Sequence, residues 1–532
     1  MAEVFPAAAT EGFRRGMARY GLLLDYMEFA VVNRFVYLCP RGVGAPKGAK
    51  GPPPKLIFKA LTHLHPEIRR RARTIAETFA TKRWRQDVIS WDSEHKPAIA
   101  RENSALQAAD TRAMTDEHLA AHLRRCFDAA RRSILTHHSF NPTAMLPVGD
   151  FLVHVREWTG LAPTEVLPLF RGASRVSQGA IEELDALARV VSADAGAMTT
   201  LASTDPHAVI DALIARKDPV GVAARLYVDA AGVRIASGYD VADVTLAEMP
   251  ELLVANIRAA IEGKAGRTTD DVAARESSIR DRVPGPHRNT FDELLNEARL
   301  TYRMRDERTY FNDLWAFGIA RRAILAAGMR LAAKGMLQDA EHAVELTEAE
   351  IVSMLAGGRG RSSEEAAADA QFRVTHTFRD APQFLGGTPS EPPPAEWLTG
   401  AAARGARATA IVLGEMFAAR SRDAVTSQVT GFAASPGLVS GIARLVLDPR
   451  DMGRVRKGEI LITRATAPSY NALLPLLGGI VTDRGGTLSH AAVVAREYGI
   501  PAVVGTGDAT ERIRDGMRIR IDGSSGTVEL LP

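Results

Sequence analysis

The sequence predicts a multidomain protein: a mainly α-helical N-terminal and central region followed by a compact α/β unit. Three observations carry this. At 532 residues the chain exceeds one ordinary core, so two to four domains are expected. Apolar residues recur at helical spacing over most of the first 420 positions. From 431 onward the pattern changes to short apolar runs between glycine turns, as in GEILITRA, GGIVTD and MRIRIDGSSGTVELL.

Bulk properties narrow the class. A hydrophobic content of 46% with 24% charged residues is that of a globular protein. A net charge of +3 gives no electrostatic case for nucleic acid or an anionic membrane as partner. The N-terminus MAEVFPAAATEGFRRGMARYG lacks a continuous apolar core, and no run of about 18 apolar residues occurs. A soluble cytoplasmic protein is therefore expected. The two cysteines, Cys39 and Cys126, form neither a CxxC pair nor a metal-ligand spacing, so a reduced compartment and no metal site are expected.

Taken in order, AVVNRFVYL (30–38) reads as a strand. RGVGAPKGAKGPPPK (41–55) imitates a phosphate loop, but it fails the GxxxxGK[ST] pattern and its prolines break the helix that should follow; it reads as a loop. Residues 56–135 are helical, with a helix start at Thr115, and 1–135 are grouped as a mostly helical N-terminal region. His137 and His138 lack metal spacing and read either as a structural pair or as part of a substrate pocket. Helices continue over 180–265, interrupted by a strand-like GVRIASGYD. The segment 291–337 reads as one or two long helices, capped by the Asn, Thr and Asp run between His287 and Asp292. Thr347 with Glu350 forms a capping box. AGGRGRSSEEAAADA and FLGGTPSEPPPAEW read as loops within a linker over 355–400, and an Ala-rich helix follows at 401–420. Residues 136–420 are grouped as one helical region, with the last domain boundary between 421 and 431. Two short helices, near 469–477 and 489–498, interrupt the strands of 431–532.

The segment GGTLSHAAVVAREYGIPAVVG (485–505) holds the only histidine after His376. Gly485 and Gly486 permit a tight turn, Ser489 is a good N-cap, and Gly499 with Pro501 ends the helix. His490 then falls in the first helical turn, where unpaired backbone N–H groups and the positive dipole end point outward. That field disfavours imidazolium and stabilises an anion. A neutral, nucleophilic imidazole beside an anion site suits phosphorylation, with Thr487, Ser489, Gly485 and Gly486 receiving the phosphoryl oxygens. A plain capping histidine is the alternative.

The same segment resembles the phosphohistidine signature of the swivelling domain in phosphoenolpyruvate-utilising enzymes. SPGLVSGIARLV, ILITRATAPSY, GGIVTDRGG and IDGSSGTV resemble its strands, so the likeness spans about 431–532. It implies a swivelling phosphohistidine domain with His490 phosphorylated. One departure is Leu488, which stands where the synthase and dikinase branch carries a regulatory threonine; that regulation is not expected here.

In this family the swivelling domain moves between a nucleotide-binding ATP-grasp station and an acceptor station. The N-terminal half does not resemble ATP-grasp, and the chain ends directly after the histidine domain, where a synthase would continue into its barrel. Pyruvate and phosphoenolpyruvate are thus poor candidates. EARLTYRMRDERTYFNDLW, ARRAILAAGMRLAAKGML and AVELTEAEI resemble the acceptor region of rifamycin phosphotransferase. The layout resembles the histidine-bearing subunit of phenylphosphate synthase and related p-cresol-type aryl phosphate synthases. The resemblance implies ATP and Mg²⁺ on a separate ATP-grasp subunit, a small organic hydroxyl acceptor such as a phenol, and an organic phosphate, AMP and phosphate as products. A phenolic hydroxyl, with a pKa of about 10, would be helped by a base and cationic clamps. His137 or His138 are candidates for the base and Arg303, Arg305 or Arg308 for the phosphoryl group, with Asp306 and Glu307 as further polar candidates. Each also has a bland reading as a solvated helix face or an intrahelical pair. An antibiotic acceptor, or a phosphocarrier without small-molecule turnover, are the competing functions.

Overall fold

The computed structural model describes the chain except residues 1–3, 47–50, 175–179, 237–239, 263–271, 378–379, 383, 387–391, 418–427, 448, 467 and 532. The boundary expected between 421 and 431 lies largely outside the described residues, as do parts of the 41–55 loop and of the 355–400 linker. Two compact units form: residues 1–150, 240–242 and 311–409, and residues 151–239, 243–310 and 410–532. Residues 1–135 fall in the first unit and 431–532 in the second, while the segment 136–420 is divided between them, because helices distant in sequence pack together.

In the first unit the helix Asp116–Ser139 shows why. Its buried residues Leu119, Leu123, Cys126, Phe127, Ala130 and Ile134 form one stripe. Thr115 caps it by accepting from the His118 N–H. It packs against the helices Phe5–Tyr20 and Trp315–Ala333. The expected single strand over 30–38 is instead part of a hairpin: β1 (Leu24–Val32) pairs antiparallel with β2 (Phe35–Gly42). Asn33 (φ 47°) and Arg34 (φ 69°) form the two-residue left-handed turn. Arg34, unusual in that conformation, is tied to Glu345 and to Asp369 at 2.9 Å. The apolar residues on either side, AVV and FVYL, made the polar Asn33–Arg34 pair read as part of one strand.

Three further expectations change. Residues 237–239 of the strand-like 232–240 lie outside the described residues, and its described part forms one isolated bridge, Ile235 with Thr245. The 355–400 linker contains a helix, Ser363–Thr375, begun by a capping box of Ser362 and Glu365. The Asn, Thr and Asp run after His287 does not cap a helix from outside. It lies inside the helix Arg288–Tyr302, which His287 precedes without a side-chain cap. The chain then runs through a short helix, Met304–Arg308, and a π-helical turn, Thr309–Leu314, into Trp315–Ala333. The capping box at Thr347 and Glu350 forms as expected.

The second unit combines helices with the C-terminal sheet. Of the five helices from Ile181–Ser192 to Pro250–Glu262, three start at strong signals: Asp194, Asp205 and Asp218 each cap a helix, the last two followed by proline. Their core residues Leu187, Val191, Val209, Leu213, Leu253 and Ile257 share one apolar cluster with Met452, Leu473, Leu476, Ala491 and Ala495. The α/β fold is therefore covered on one side by these helices.

The sheet contains β3 (Gln428–Thr430), β4 (Phe432–Ser435), β5 (Leu438–Leu445), β6 (Ile460–Thr463), β7 (Gly479–Thr482), β8 (Ala502–Val504), β9 (Arg518–Asp522) and β10 (Thr527–Leu530), in the order β3-β10-β9-β5-β6-β7-β8-β4. β5, β6, β7 and β8 are parallel and the outer pairings antiparallel. Every residue of β6, β7 and β8 is buried, which is why ILIT, GIVT and AVV read as unbroken apolar runs rather than alternating ones. β7 delivers the chain to the glycine turn, and the helix His490–Tyr498 returns it to β8.

Candidate phosphohistidine site

The turn after β7 is built locally. Gly485 has φ 102°, and a Cβ there would lie 2.6 Å from the Ser489 Cβ, so only glycine fits. Ser489 stands at the N-cap with φ −65° and ψ 161°, its Oγ accepting from the Ala492 N–H. His490 is the first residue of the helix. At the other end Gly499, with φ 66°, donates to Ala495 and Arg496, and Ile500 donates to Ala495 at 2.8 Å. The helix is held down by its apolar face and by Arg496, whose Nη1 donates to the Ala434 carbonyl at 3.0 Å.

The imidazole is fixed at both nitrogens. Thr466 Oγ1 lies 2.9 Å from Nδ1, and Asn471 Oδ1 lies 3.0 Å from Nε2. Burial and then the neighbouring Arg305 guanidinium push its pKa down to about 3, so the ring is neutral at pH 7. Neutrality leaves one nitrogen with a lone pair, which a nucleophile requires.

Arg305 is the acceptor-side candidate that the fold brings to this histidine. Its Nη1 donates to the Leu488 carbonyl, two residues before His490, and burial lowers its pKa. Asp306 follows and accepts from Ser174 Oγ at 2.9 Å. Arg303 and Glu307 make an intrahelical pair, with Nη1 2.9 Å from both carboxylate oxygens. Arg308 is buried and donates from Nε to the Met304 carbonyl. His137 and His138 belong to the first unit. There His137 pairs with Asp313 at 2.6 Å and His138 stacks on Phe13 at 4.8 Å, which makes their contacts those of a packed core.

The expected phosphoryl donors are arranged differently from the sequence reading. Thr487 is fully buried and its hydroxyl donates to the Glu415 carboxylate. The Gly486 N–H points to the Met416 carbonyl at 3.4 Å, and the Leu488 N–H donates to the Glu415 carbonyl at 2.9 Å. The end of the helix Gly400–Phe417 thus engages the loop. Thr466, Asn471 and Glu415 were not singled out from sequence, because nothing in their spacing points to His490.

The histidine helix meets the segment carrying Arg305 through polar groups. Glu497 accepts from the Gly172 N–H at 2.8 Å. Burial raises its carboxyl to about 7; the Gly172 bond opposes this and the Asp306 charge adds to it. Between about pH 4.5 and 7 the unfolded chain has released a proton that the folded chain keeps, so this group costs stability as pH rises through that window. Glu497→Gln is expected to stabilise the chain by roughly 2–3 kcal/mol above pH 7 and to give no gain below about pH 4.5. Urea unfolding at both ends of the range checks this; an equal difference at the two pH values would contradict it.

Residues 455–526 match the model of the PEP-utilising enzyme mobile domain, the stretch that contains His490 and both of its ring partners. This stretch is the mobile domain of the PEP-utilising enzyme family. Residues 143–306, which end at Arg305 and Asp306, match the rifampicin phosphotransferase fourth domain. The chain is 31% identical over 395 residues to a rifampicin phosphotransferase of Streptomyces sp, covering 71% of this chain and 42% of that protein. It is 32% identical over 248 residues to the uncharacterized phosphotransferase YvkC of Bacillus subtilis, covering 46% and 27%. It is 48% identical over 101 residues to the phosphoenolpyruvate synthase of Aeropyrum pernix, covering 19% and 12%. The matches therefore span less than half the length of these relatives. Among the described residues, no helix is long and apolar enough to cross a membrane.

Proposed function

We propose that this chain is the phosphoryl-carrying component of a cytoplasmic, ATP-dependent phosphotransferase. His490 takes a phosphoryl group and passes it to the hydroxyl of a small organic acceptor, with phenols of the phenol or p-cresol type as the first class. The observation that carries this reading is the neutral imidazole at a helix N-terminus, held at both nitrogens, with the Arg305 guanidinium next to it.

In the transfer step the acceptor oxygen forms a bond to phosphorus as the N–P bond of phospho-His490 breaks. The ring keeps the electron pair, and the hydroxyl proton leaves to a base. Arg305 neutralises charge on the phosphoryl oxygens, and the helix N-terminus adds to this. ATP and Mg²⁺ are assigned to a separate ATP-grasp subunit. The first unit, built in its described residues from helices and one hairpin, supports that division. Conversion of ATP to AMP and phosphate would supply the group.

A bulky antibiotic acceptor is the second reading, favoured by the match of residues 143–306 to a rifampicin phosphotransferase domain. Both readings meet one experiment. The purified chain is incubated with ATP labelled at the β-phosphate, alone and with lysate of its source cells, and acid-labile protein label is sought. Label that needs lysate is expected, followed by its chase onto phenols. Chase onto rifampicin instead would favour the second reading. Label that moves to no small molecule would make the chain a phosphocarrier, and no label at all would sink the relay.

A further inference from the structure

Both ring nitrogens of His490 are occupied, and this has a chemical consequence. A carboxamide oxygen can only accept, so Nε2, 3.0 Å from Asn471 Oδ1, carries the ring proton. Nδ1 then accepts from the Thr466 hydroxyl at 2.9 Å. In this arrangement Nε2 has no lone pair, and the lone pair on Nδ1 is filled by a hydrogen bond. Neither nitrogen can attack phosphorus until one partner moves.

The two partners differ in freedom. Thr466 is β-branched, with a single stiff side-chain rotor. Its hydroxyl can donate or accept, so it serves either tautomer without moving. Asn471 is only partly buried and turns about two side-chain bonds. Its backbone is anchored on both sides. Tyr470, Leu473 and Leu474 are buried in the apolar cluster, and Asn256 Nδ2 donates to the next carbonyl, Ala472, at 2.9 Å. The carboxamide can therefore swing on a fixed support.

We infer that Asn471 is a gate on the nucleophilic nitrogen of His490: its carboxamide oxygen holds the proton on Nε2 at rest, and its withdrawal exposes the Nε2 lone pair. This rests on the reading of His490 as the phosphoryl acceptor. When the carboxamide withdraws, the proton settles on Nδ1 and is donated to Thr466 Oγ1. The Nε2 lone pair then forms the N–P bond, while the phosphoryl donor's bond to phosphorus breaks and its leaving group departs with that electron pair. The Nδ1 proton stays against Thr466. The Asn471 carboxamide, no longer facing an N–H, can turn its own N–H groups toward the phosphoryl oxygens.

The test has two readouts. In the full chain labelled with ¹⁵N-histidine, long-range ¹H–¹⁵N spectra report each ring's tautomer, and His490→Gln identifies the signals of His490. The wild type is expected in the Nε2–H form, Asn471→Asp likewise, and Asn471→Ala shifted toward Nδ1–H. Phosphoramidate, which needs no nucleotide subunit, then serves as the phosphoryl donor. Asn471→Ala is expected to be labelled about tenfold faster than wild type, the weight of one hydrogen bond, and Asn471→Asp slower by a similar factor. A merely structural role would slow both variants and leave the tautomer as it is. An alanine variant labelled no faster than a labelled wild type, or one still in the Nε2–H form, would overturn the gate alone. A wild type that takes no label at His490 would overturn the phosphoryl-acceptor reading, and the gate with it.

Discussion

Replacing His490 by alanine is expected to abolish phosphoryl labelling of the chain and all transfer to an acceptor. In the proposed relay the ring nitrogen is the nucleophile, and the variant leaves at that helix N-terminus only backbone and the hydroxyl of Ser489, which already caps the helix. Loss of a covalent nucleophile costs on the order of 10³-fold or more in rate. The fold should survive. The side chain is partly exposed and makes two hydrogen bonds, so roughly 1–2 kcal/mol of stability is at stake. Circular dichroism and a melting curve should match wild type within a few degrees while acid-labile label falls to background. Labelled His490→Ala would place the phosphoryl group elsewhere and end the mechanism.

Arg305→Ala carries the second largest expected effect. The guanidinium lies beside the imidazole and donates to the Leu488 carbonyl, so in the proposed relay it is placed to meet charge that develops on the phosphoryl group leaving the ring. Removing such a donor from a preorganised site typically costs about 10²–10³-fold. The chase of label from phospho-His490 onto the acceptor should slow by that factor. Arg305→Lys should recover only part of it, because an ammonium keeps the charge but loses the planar fork. The alanine variant should also let the His490 pKa rise from about 3 toward its ordinary value, since Arg305 is the second cause of its depression. A chase rate equal to wild type would remove Arg305 from the transfer step and leave it a structural contact to the loop.

The neutral state of His490 links site and fold. A histidine on an exposed helix start would titrate near 6.5, and much of it would be charged and unreactive in mildly acidic solution. Here desolvation in the site, with the Arg305 guanidinium beside the ring, keeps it unprotonated. The helices carrying Leu253 and Ile257 share an apolar cluster with Ala491 and Ala495 and so help to hold the helix that presents His490.

The turn, cap, first helical position and glycine stop around His490 were all legible in the sequence. So were the capping box at Thr347 and the helix start at Thr115. Each depends on backbone dihedrals and hydrogen bonds spanning four residues or fewer, and the residue types that satisfy them stand next to one another in the chain. The unbroken apolar runs of β6, β7 and β8 likewise announced buried strands. Where a local signal was present but outweighed by composition, it was misread. The Ser362 and Glu365 capping box sat in a Gly- and Ser-rich stretch, and the Asn33–Arg34 turn sat between two short apolar runs.

What only the tertiary structure decided is which side chains meet His490. Thr466 and Asn471 stand 24 and 19 residues before it, and Arg305 donates to a carbonyl 183 residues on. The same holds for Glu415, which takes the Thr487 hydroxyl that the sequence reading had reserved for phosphate. His137 and His138, attractive as a doublet, went to another core. A hydrogen-bond partner across such separations is chosen by how buried faces pack, and packing follows the summed burial of many apolar residues rather than any spacing of the polar ones. The sequence by itself therefore determined the helix start on which His490 stands. The fold determined its charge state and its hydrogen-bond partners, because those depend on groups that only packing brings within about 3 Å.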